Sequence, residues 1–562
     1  MRSSDKSRFG HRCSFWRGST ATCGRCGSID AGSWRYWNSG LGGSEFAKKA
    51  ENWLSQGEQR VLFSEQQVFA LQRLVTLHSL DGPVDQTLSK EEHIGLLLAL
   101  IAIPCSVLSI HADLERDLSV NVEDERWLRF FIGNGGFVGA GALRNELGRA
   151  HRLYSELAES EGSKQHRDYC ALNEWLVEEF GLTFAQLQAF AFALHTGSKI
   201  SAMEEIPSLV DSSFFAGSKV ADQAELGLAA LSAPREWYAE RFAATQNDPR
   251  RAAFEITPFL QKPAIRQPDG KVMPIAPRAL EAWMGATGNY YRLLDIARRK
   301  GDETRDRFRR FNGLLVERYV QETLETTFPQ DELRKTSIWT PGRVYRDVPY
   351  QSPAGERLTP DVVIDLTPDL VVIEVTSSRL TERSIVDADP DTVTKDIEKV
   401  LVEKIEQLGS AIEDLRSGAA TLPGLRIDEI DRIWPIVISS EGLLQTPNLW
   451  AYIRPSVEHS LSQPSMKPLT LLDLEDLEEL AGLVMSGNAL TEVLAEKTRE
   501  TWAERELAAW IRSPEGQKFP YDSALALKQF DEATAEIVSV LLGDEAVAQY
   551  EAEHRGSDAP TH

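Results

Sequence analysis

The sequence predicts a multidomain α/β (α+β) protein, and three observations support this prediction. The chain has 562 residues, enough for roughly two to four domains. Helical periodicity fills much of residues 46–254, whereas residues 360–376 contain two runs rich in Val and Ile that are typical of strands. Helical spacing returns on both sides of those runs, so we predict helices packed around a small sheet.

Composition and pattern divide the chain into five segments. We predict a disordered basic tail at 1–45, a helical N-terminal domain at 46–254, and a connector with short β elements and a basic helix at 255–304. An αβββαβ core follows at 305–460, and a helical region at 461–562. An alternative for residues 1–45 is upstream sequence translated from a misplaced start.

Two helices of the outer segments have clear sequence signals. Thr183 and Gln186 have the spacing of a capping box, which predicts the start of a helix in the N-terminal domain. Residues 474–485 have leucines at helical spacing among many acids, with Thr470 opening the segment. We expect a helix there with a solvated acidic face.

The centre of the predicted core is a β-hairpin. The runs Val362–Leu366 and 370–375 are joined by Thr367-Pro368-Asp369, which is typical of a turn. Asp361 begins the first run and Glu374 lies near the end of the second, so the hairpin could bring the two carboxylates together. Paired carboxylates on adjacent strands provide the oxygen ligands and the rigidity that a divalent cation requires.

The flanks of the hairpin define the rest of the core. Residues 307–328 have helical spacing, and a strand is predicted near 344–350. Asp389-Pro390 is suited to begin a helix over about 391–416, and residues 433–438 form a buried strand. The predicted order is helix, three strands, helix and strand.

This order and its acidic residues resemble the PD-(D/E)XK nuclease superfamily, whose members share a restriction-endonuclease-like core. The resemblance covers about residues 305–455. Pro360-Asp361 matches the PD, and Glu374-Val375-Thr376 stands at the position of (D/E)XK, with Thr376 where the Lys belongs. The resemblance implies a Mg²⁺- or Mn²⁺-dependent nuclease that cleaves DNA or, as the less favoured substrate, RNA. It implies that Asp361, Glu374 and the Val375 carbonyl hold the metal.

Two further catalytic residues come from the same resemblance. Glu317 stands where many members carry a first-helix Glu, which would orient water or a second ion. Gln407 and Leu408 resemble a Gln-Leu pair in the second helix of several branches. The resemblance also implies a role in bacterial defence, mobile elements or repair.

The missing lysine is expected to come from the second helix, because Thr376 carries no charge that could activate water. The candidates are Lys395, Lys399 and Lys404. We favour Lys404, which lies three residues before Gln407 and therefore on the same helix face. The alternative is that all three are solvated charges paired with glutamates along the helix.

The missing lysine also supports a second hypothesis, a catalytically inactive nuclease-fold module that binds nucleic acid or protein. A third hypothesis is a helical scaffold with an incidental α/β core. For the hairpin acids themselves, the alternative is that Asp361 caps a turn and Glu374 is a charge that protects a sheet edge.

The net charge of −24 excludes a generally basic nucleic-acid-binding protein, so contact with a polyanion requires a local patch. A basic stretch from Arg292 to Arg310 has tyrosines and phenylalanines interleaved or adjacent, and the candidate patch within it is Arg298, Arg299, Lys300, Arg309 and Arg310. The alternative is a surface helix whose cations pair internally with Asp295, Asp302, Glu303 and Asp306. A homodimer or a partner protein bound through the helical regions is a further possibility.

Five cysteines in a chain of this length do not indicate a disulfide framework, so we expect a reducing, cytoplasmic location. Cys170 is predicted to be an inert buried thiol. The most apolar window, residues 94–110, contains Pro104 and is short for a membrane span, so no membrane association is expected.

Overall fold

The computed structural model describes Arg73 and residues 143–203, 208–243, 255–275, 277–328, 343–346, 348–352, 355–358, 360–381, 384, 389–442, 445, 447–499 and 502–546. The tail predicted at 1–45 and the apolar window at 94–110 lie outside these residues. The described part is a mixed α/β protein, as the sequence predicts.

The first described region is helical. Its helices are α1 (Leu143–His151), α2 (Glu161–Lys164), α3 (Leu172–Phe180), α4 (Phe184–Met203), α5 (Ala224–Leu231) and α6 (Arg235–Phe242). The predicted capping box is present at the start of α4. The backbone N–H of Gln186 donates to Thr183 Oγ1 at 3.2 Å, and the backbone N–H of Thr183 donates to Gln186 Oε1 at 2.9 Å. Cys170 is buried, and burial raises the pKa of its thiol to about 11, as expected of an inert cysteine.

The predicted connector contains short strands followed by helices. Strands β1 (Ser232–Pro234), β2 (Ala264–Arg266) and β3 (Val272–Pro274) form a sheet in which β2 pairs parallel with β1 and antiparallel with β3. Helix α7 (Thr257–Gln261) precedes β2. Helices α8 (Pro277–Met284), α9 (Ala286–Lys300) and α10 (Asp302–Thr327) follow β3 and lead to the larger sheet.

The larger sheet has five strands in the order β10-β9-β8-β7-β4. Its strands are β4 (Arg343–Tyr345), β7 (Val362–Leu366), β8 (Asp369–Thr376), β9 (Arg432–Ser439) and β10 (Thr470–Asp473), and a separate hairpin forms from β5 (Pro349–Ser352) and β6 (Gly355–Leu358). The predicted hairpin is the antiparallel pair β7–β8, whereas β8, β9 and β10 are parallel.

The predicted second helix consists of α11 (Pro390–Ile397), a π-helical segment (Glu398–Val402) and α12 (Glu403–Ser417). Helix α13 (Pro447–Ser460) lies between β9 and β10. Residues 470–473 form strand β10 and not the start of a helix, because they pair with β9.

The C-terminal region contains α14 (Leu474–Met485), α15 (Leu490–Lys497), α16 (Leu507–Ile511) and α17 (Ala524–Leu542). The expectation that the acidic face of α14 is solvated is wrong: Glu475, Asp476 and Glu478 are all buried. Glu478 pairs with Arg149 of α1, and Asp476 forms the N-terminal capping box with Asp473.

Each face of the larger sheet has its own core, because successive residues of a strand point to opposite sides. Ile373 and Val375 of β8 lie in the core that also contains Leu315 and Tyr319 of α10. The same cluster of buried residues includes side chains from Leu143 of α1 to Leu541 of α17, so it spans the predicted domain boundaries. Residues of the opposite register, such as Val372 of β8, lie in the second core with Ile405 and Leu408 of α12.

Within the described ranges, no helix combines the length and the apolar character needed to cross a membrane.

Candidate functional site

The structure brings Asp361 and Glu374 to one end of the larger sheet. Val362 pairs with Ile373 in the β7–β8 register, so the next position along the ladder places Asp361 opposite Glu374. Residues directly opposite each other in an antiparallel pair point to the same face. Asp361 lies just before β7, and its Oδ2 accepts a hydrogen bond from the Val375 amide at 2.7 Å. The carboxylate thus anchors the start of β7 to β8.

Glu374 is a buried carboxyl group beside another carboxyl group. Only 7% of the residue is exposed. Burial, the negative charge of Asp361 and a hydrogen bond with it raise the pKa of Glu374 to about 7, although Lys404 opposes this shift. Glu374 therefore changes its charge near neutral pH, which is unusual for a carboxyl group.

Of the three candidate lysines, only Lys404 contacts the acid pair. Its Nζ lies 3.1 Å from Glu374 Oε2, whereas Lys395 and Lys399 are exposed on the preceding turns. Burial acts to lower the pKa of Lys404, but the charges of Glu374 and Asp361 and the hydrogen bond with Glu374 raise it above its usual value. Lys404 therefore supplies a cation at the site where Thr376 supplies none.

Glu317 approaches the site from the other layer. It lies on α10, which packs on the opposite face of the sheet from α12, yet its charge contributes to the raised pKa of Lys404. Gln321, one turn further along α10, donates its Nε2 to the Asp361 carbonyl at 3.3 Å. Gln321 is not among the residues predicted from the sequence, although its spacing of four residues from Glu317 places it on the same face of the helix.

Gln407 does not join this group. Its side chain is exposed on α12 and forms no hydrogen bond with another described residue. Gln407 is therefore not linked to the acid pair by a hydrogen bond, and its catalytic role stays a prediction. Thr376 is 2% exposed, and its Oγ1 accepts from the Ser378 amide at 3.3 Å.

The donor atoms at the sheet end fit a cation of the Mg²⁺ type. Among the residues that the structure describes, no three His, Cys, Asp or Glu side chains are grouped closely enough to hold a metal by themselves. Mg²⁺ is usually held by only one or two carboxylates, with water and phosphate oxygens completing its shell. Two facing carboxyl groups, of which Glu374 is buried and has a raised pKa, match this donor requirement, since a cation could replace the proton.

A cleft of about 1010 Å³ adjoins the site and is lined by Glu317 and by Ser377 and Ser378, which follow β8. Its wall includes eleven Lys or Arg and seven Asp or Glu, although the whole chain is strongly acidic. The excess of positive charge is thus local to the cleft.

The predicted basic patch contributes to this cleft, but most of its members are ion-paired. Arg298, Arg299, Arg309 and Arg310 line the cleft, whereas Lys300 does not. The paired members have the following partners: Arg299 with Glu179 and Asp295, Lys300 with Glu178, Arg309 with Asp306, and Arg310 with Asp168. The internal pairing considered as the alternative accounts for Arg299 with Asp295 and for Arg309 with Asp306, whereas Lys300 and Arg310 pair with acids from outside this stretch.

Comparison of the chain with protein-family models and with curated proteins finds no match.

Proposed function

We propose that the protein is a metal-dependent nuclease that hydrolyses phosphodiester bonds of DNA, with RNA as the less favoured substrate. The observation that supports this proposal is the convergence at one sheet end of Asp361 and Glu374, with Lys404 Nζ 3.1 Å from Glu374. Two carboxyl groups can hold a cation beside a phosphodiester, and one ammonium group can balance the charge that develops on it.

Each residue of the site has a role in this proposal. Asp361, Glu374 and the Val375 carbonyl would hold Mg²⁺ or Mn²⁺, and the bound ion would supply Lewis-acid chemistry at the phosphoryl group and at a water molecule. Glu374 would have to be deprotonated to serve as a ligand. Lys404 assists the attacking water and offsets charge on the phosphate, and Glu317 orients water from the other side of the sheet end.

The cleft supports a nucleic-acid substrate. Its excess of Lys and Arg attracts a polyanion locally although the molecule as a whole repels one. Glu317 lines the cleft, and its charge helps to raise the pKa of Lys404, so Glu317 lies between the cleft and the acid pair. A nucleic-acid strand bound in the cleft would therefore lie next to the acid pair.

A second candidate function is a catalytically inactive nuclease-fold module that binds nucleic acid or protein. The ion pair between Lys404 and Glu374 favours it, because the lysine already neutralises part of the acid pair without a metal. Thr376 favours it as well, since it leaves the third motif position uncharged.

The test is cleavage of plasmid and single-stranded DNA with Mg²⁺ or Mn²⁺, together with calorimetric titration of Mg²⁺. The double variant Asp361→Ala, Glu374→Ala should lose cleavage by about a hundred-fold or more and should lose metal binding. Asp391→Ala, which removes an exposed carboxylate of α11, is the control and should retain both. If the original protein cleaves no faster than the double variant, the nuclease proposal fails. Absence of Mg²⁺ binding would favour the inactive module.

A further inference from the structure

A second group of cations lies in the cleft, apart from the acid pair. Arg241 of α6, Lys262 at the end of α7 and Arg292 of α9 all line it. In the part of the chain that the structure describes, none of the three forms an ion pair. Lys262 Nζ donates to the Ala229 and Ala230 carbonyls, each at 2.8 Å. These three cations differ in this respect from the basic patch, most of whose members have carboxylate partners.

Arg292 is held by neutral groups. Its Nη2 donates to the Trp283 carbonyl at 2.7 Å and its Nη1 to Asn289 Oδ1 at 2.6 Å. Its guanidinium carbon lies 3.4 Å from the centre of the Trp283 ring. These contacts orient the guanidinium group but supply no negative charge.

Aromatic rings support the other two cations. The Arg241 guanidinium carbon lies 3.6 Å from the centre of the Trp237 ring, and Lys262 Nζ lies 6.0 Å from that of Phe180. Trp237 and Phe180 themselves line the cleft, so apolar faces stand beside the positive charges. A ligand with both an anionic group and a flat ring would find partners for each.

The electrostatics of the two less exposed cations agree with this geometry. Burial lowers the pKa of Lys262 to about 8, and the charges of Arg292, Arg241 and Arg266 act in the same direction. Glu179 opposes this shift but is itself paired with Arg299 at 2.9 Å. Burial also lowers the pKa of Arg292 to about 9, opposed only by Tyr154. An anion bound here would relieve the mutual repulsion of the cations.

We propose that Arg241, Lys262 and Arg292 form an anion site that binds the phosphate group of a nucleotide or of a nucleic-acid strand. Phosphate fits because a guanidinium group can bind two of its oxygens at once and an ammonium group adds a compact charge. The site does not use Asp361 or Glu374, so it can exist whether or not the protein is a nuclease.

The experiment is calorimetric titration of the full chain with pyrophosphate in EDTA. Lys262→Gln and Arg292→Gln should each weaken binding by about ten-fold, because each removes a charge-assisted contact. Arg241 is exposed, so Arg241→Gln should fold normally and should also weaken binding, which keeps the test valid if Arg292→Gln fails to fold. Lys528→Gln, which removes a cation of α17 that is 73% exposed, should change affinity by less than about two-fold. Absence of binding, or equal affinity in all variants, would overturn the proposal.

Two further ligands identify the source of the phosphate. Adenosine 5′-diphosphate represents a free nucleotide, and a single-stranded oligodeoxynucleotide of about twelve residues represents a strand. Pyrophosphate should compete with the ligand that uses the site, and Lys262→Gln should weaken that ligand. If neither ligand binds in competition with pyrophosphate, the assignment to nucleotides and nucleic acid is wrong. The Asp361→Ala, Glu374→Ala variant should bind unchanged, so failure of the nuclease proposal would not be mistaken for failure of this one.

Discussion

Two groups of charged side chains in this protein each combine two acids with one cation, but they differ in how many hydrogen bonds join the cation to its acids. Between helices α1, α10 and α14, Arg149 donates from Nε and Nη2 to the two oxygens of Glu478 at 2.7 and 2.9 Å. Tyr319 donates its hydroxyl to the same carboxylate at 2.6 Å, and Arg149 also bonds Glu146 at 2.8 Å. Both oxygens of Glu478 thus have donors.

At the sheet end, the cation makes one hydrogen bond with the acid pair, whereas Arg149 makes three with its acids. Lys404 contacts Glu374 through a single 3.1 Å bond, while Asp361 faces Glu374 and helps to raise its pKa to about 7. A carboxylate whose oxygens all have donors, such as Glu478, stabilises the packing of helices, whereas two carboxyl groups that share one lysine can still bind a cation. We therefore regard the Arg149 cluster as structural and the Lys404 cluster as the candidate reactive site.

The largest effect on stability is expected in the helical cluster. Glu478→Gln should lower the free energy of unfolding by about 3–5 kcal/mol, because it leaves the buried guanidinium of Arg149 without its main partner. Urea denaturation followed by circular dichroism measures the change. Arg499→Met, which breaks an exposed ion pair with Glu496, is the control and should cost less than about 1 kcal/mol. Equal costs for the two variants would contradict the comparison.

The next effect concerns the lysine at the sheet end. Lys404→Met should reduce the single-turnover cleavage rate by about a hundred-fold, since no other described lysine contacts Glu374. It should also move the pH dependence of Mg²⁺ binding upwards, because Lys404 lowers the pKa of Glu374. Lys395→Met and Lys399→Met are matched controls on the same helix and should stay within about two-fold. Similar losses for all three lysines would refute a specific role for Lys404.

Stability should respond to pH at Glu374 in a characteristic direction. Its pKa of about 7 in the folded protein lies above its ordinary value, so the folded state binds the extra proton and stability falls as pH rises between the two values. Relative to the original protein, Glu374→Gln should therefore gain on the order of 1–3 kcal/mol from about pH 5 to about pH 8. Denaturation curves at several pH values measure this gain. Glu403→Gln, at an exposed position of α12, is the control and should show no pH-dependent gain in stability. If the stability difference between Glu374→Gln and the original protein does not change with pH, the pKa of Glu374 is not raised in the folded protein.

The smallest effect is expected at Gln407. Because its side chain is exposed and forms no hydrogen bond with the acid pair, Gln407→Ala should change the cleavage rate by less than about two-fold. The single-turnover assay used for the lysine variants is the measurement. A loss comparable to that of Lys404→Met would show that substrate binding brings Gln407 into the site.

Local sequence patterns predicted the central elements well. The turn at Thr367-Pro368-Asp369, the strand at 433–438 and the helix after Asp389-Pro390 all correspond to observed elements. These predictions are correct because the alternation of apolar and polar residues and the preference of Pro and Asp for turns depend only on a few neighbouring residues.

The errors arose where distant segments decide the environment. The acids of α14 look like a solvated face, but Glu478 meets Arg149, which is 329 residues away in the chain. Strand β10 was not predicted because four residues are too few to show an alternating pattern. It forms because it pairs with β9, which is more than thirty residues earlier in the chain. In both cases the partner determines the outcome, and a local pattern contains no information about it.

The period of two along β7 and β8 was enough to predict that Asp361 and Glu374 could meet, because a hairpin turn sets its own register. Which lysine reaches them could not be read from the helix: Lys395, Lys399 and Lys404 have similar local surroundings in the chain. The packing of α12 on the second face of the sheet selects Lys404, and the packing of α10 on the first face adds Glu317. Contacts between layers depend on how whole elements are placed, so they follow from the folded arrangement and not from neighbouring residues.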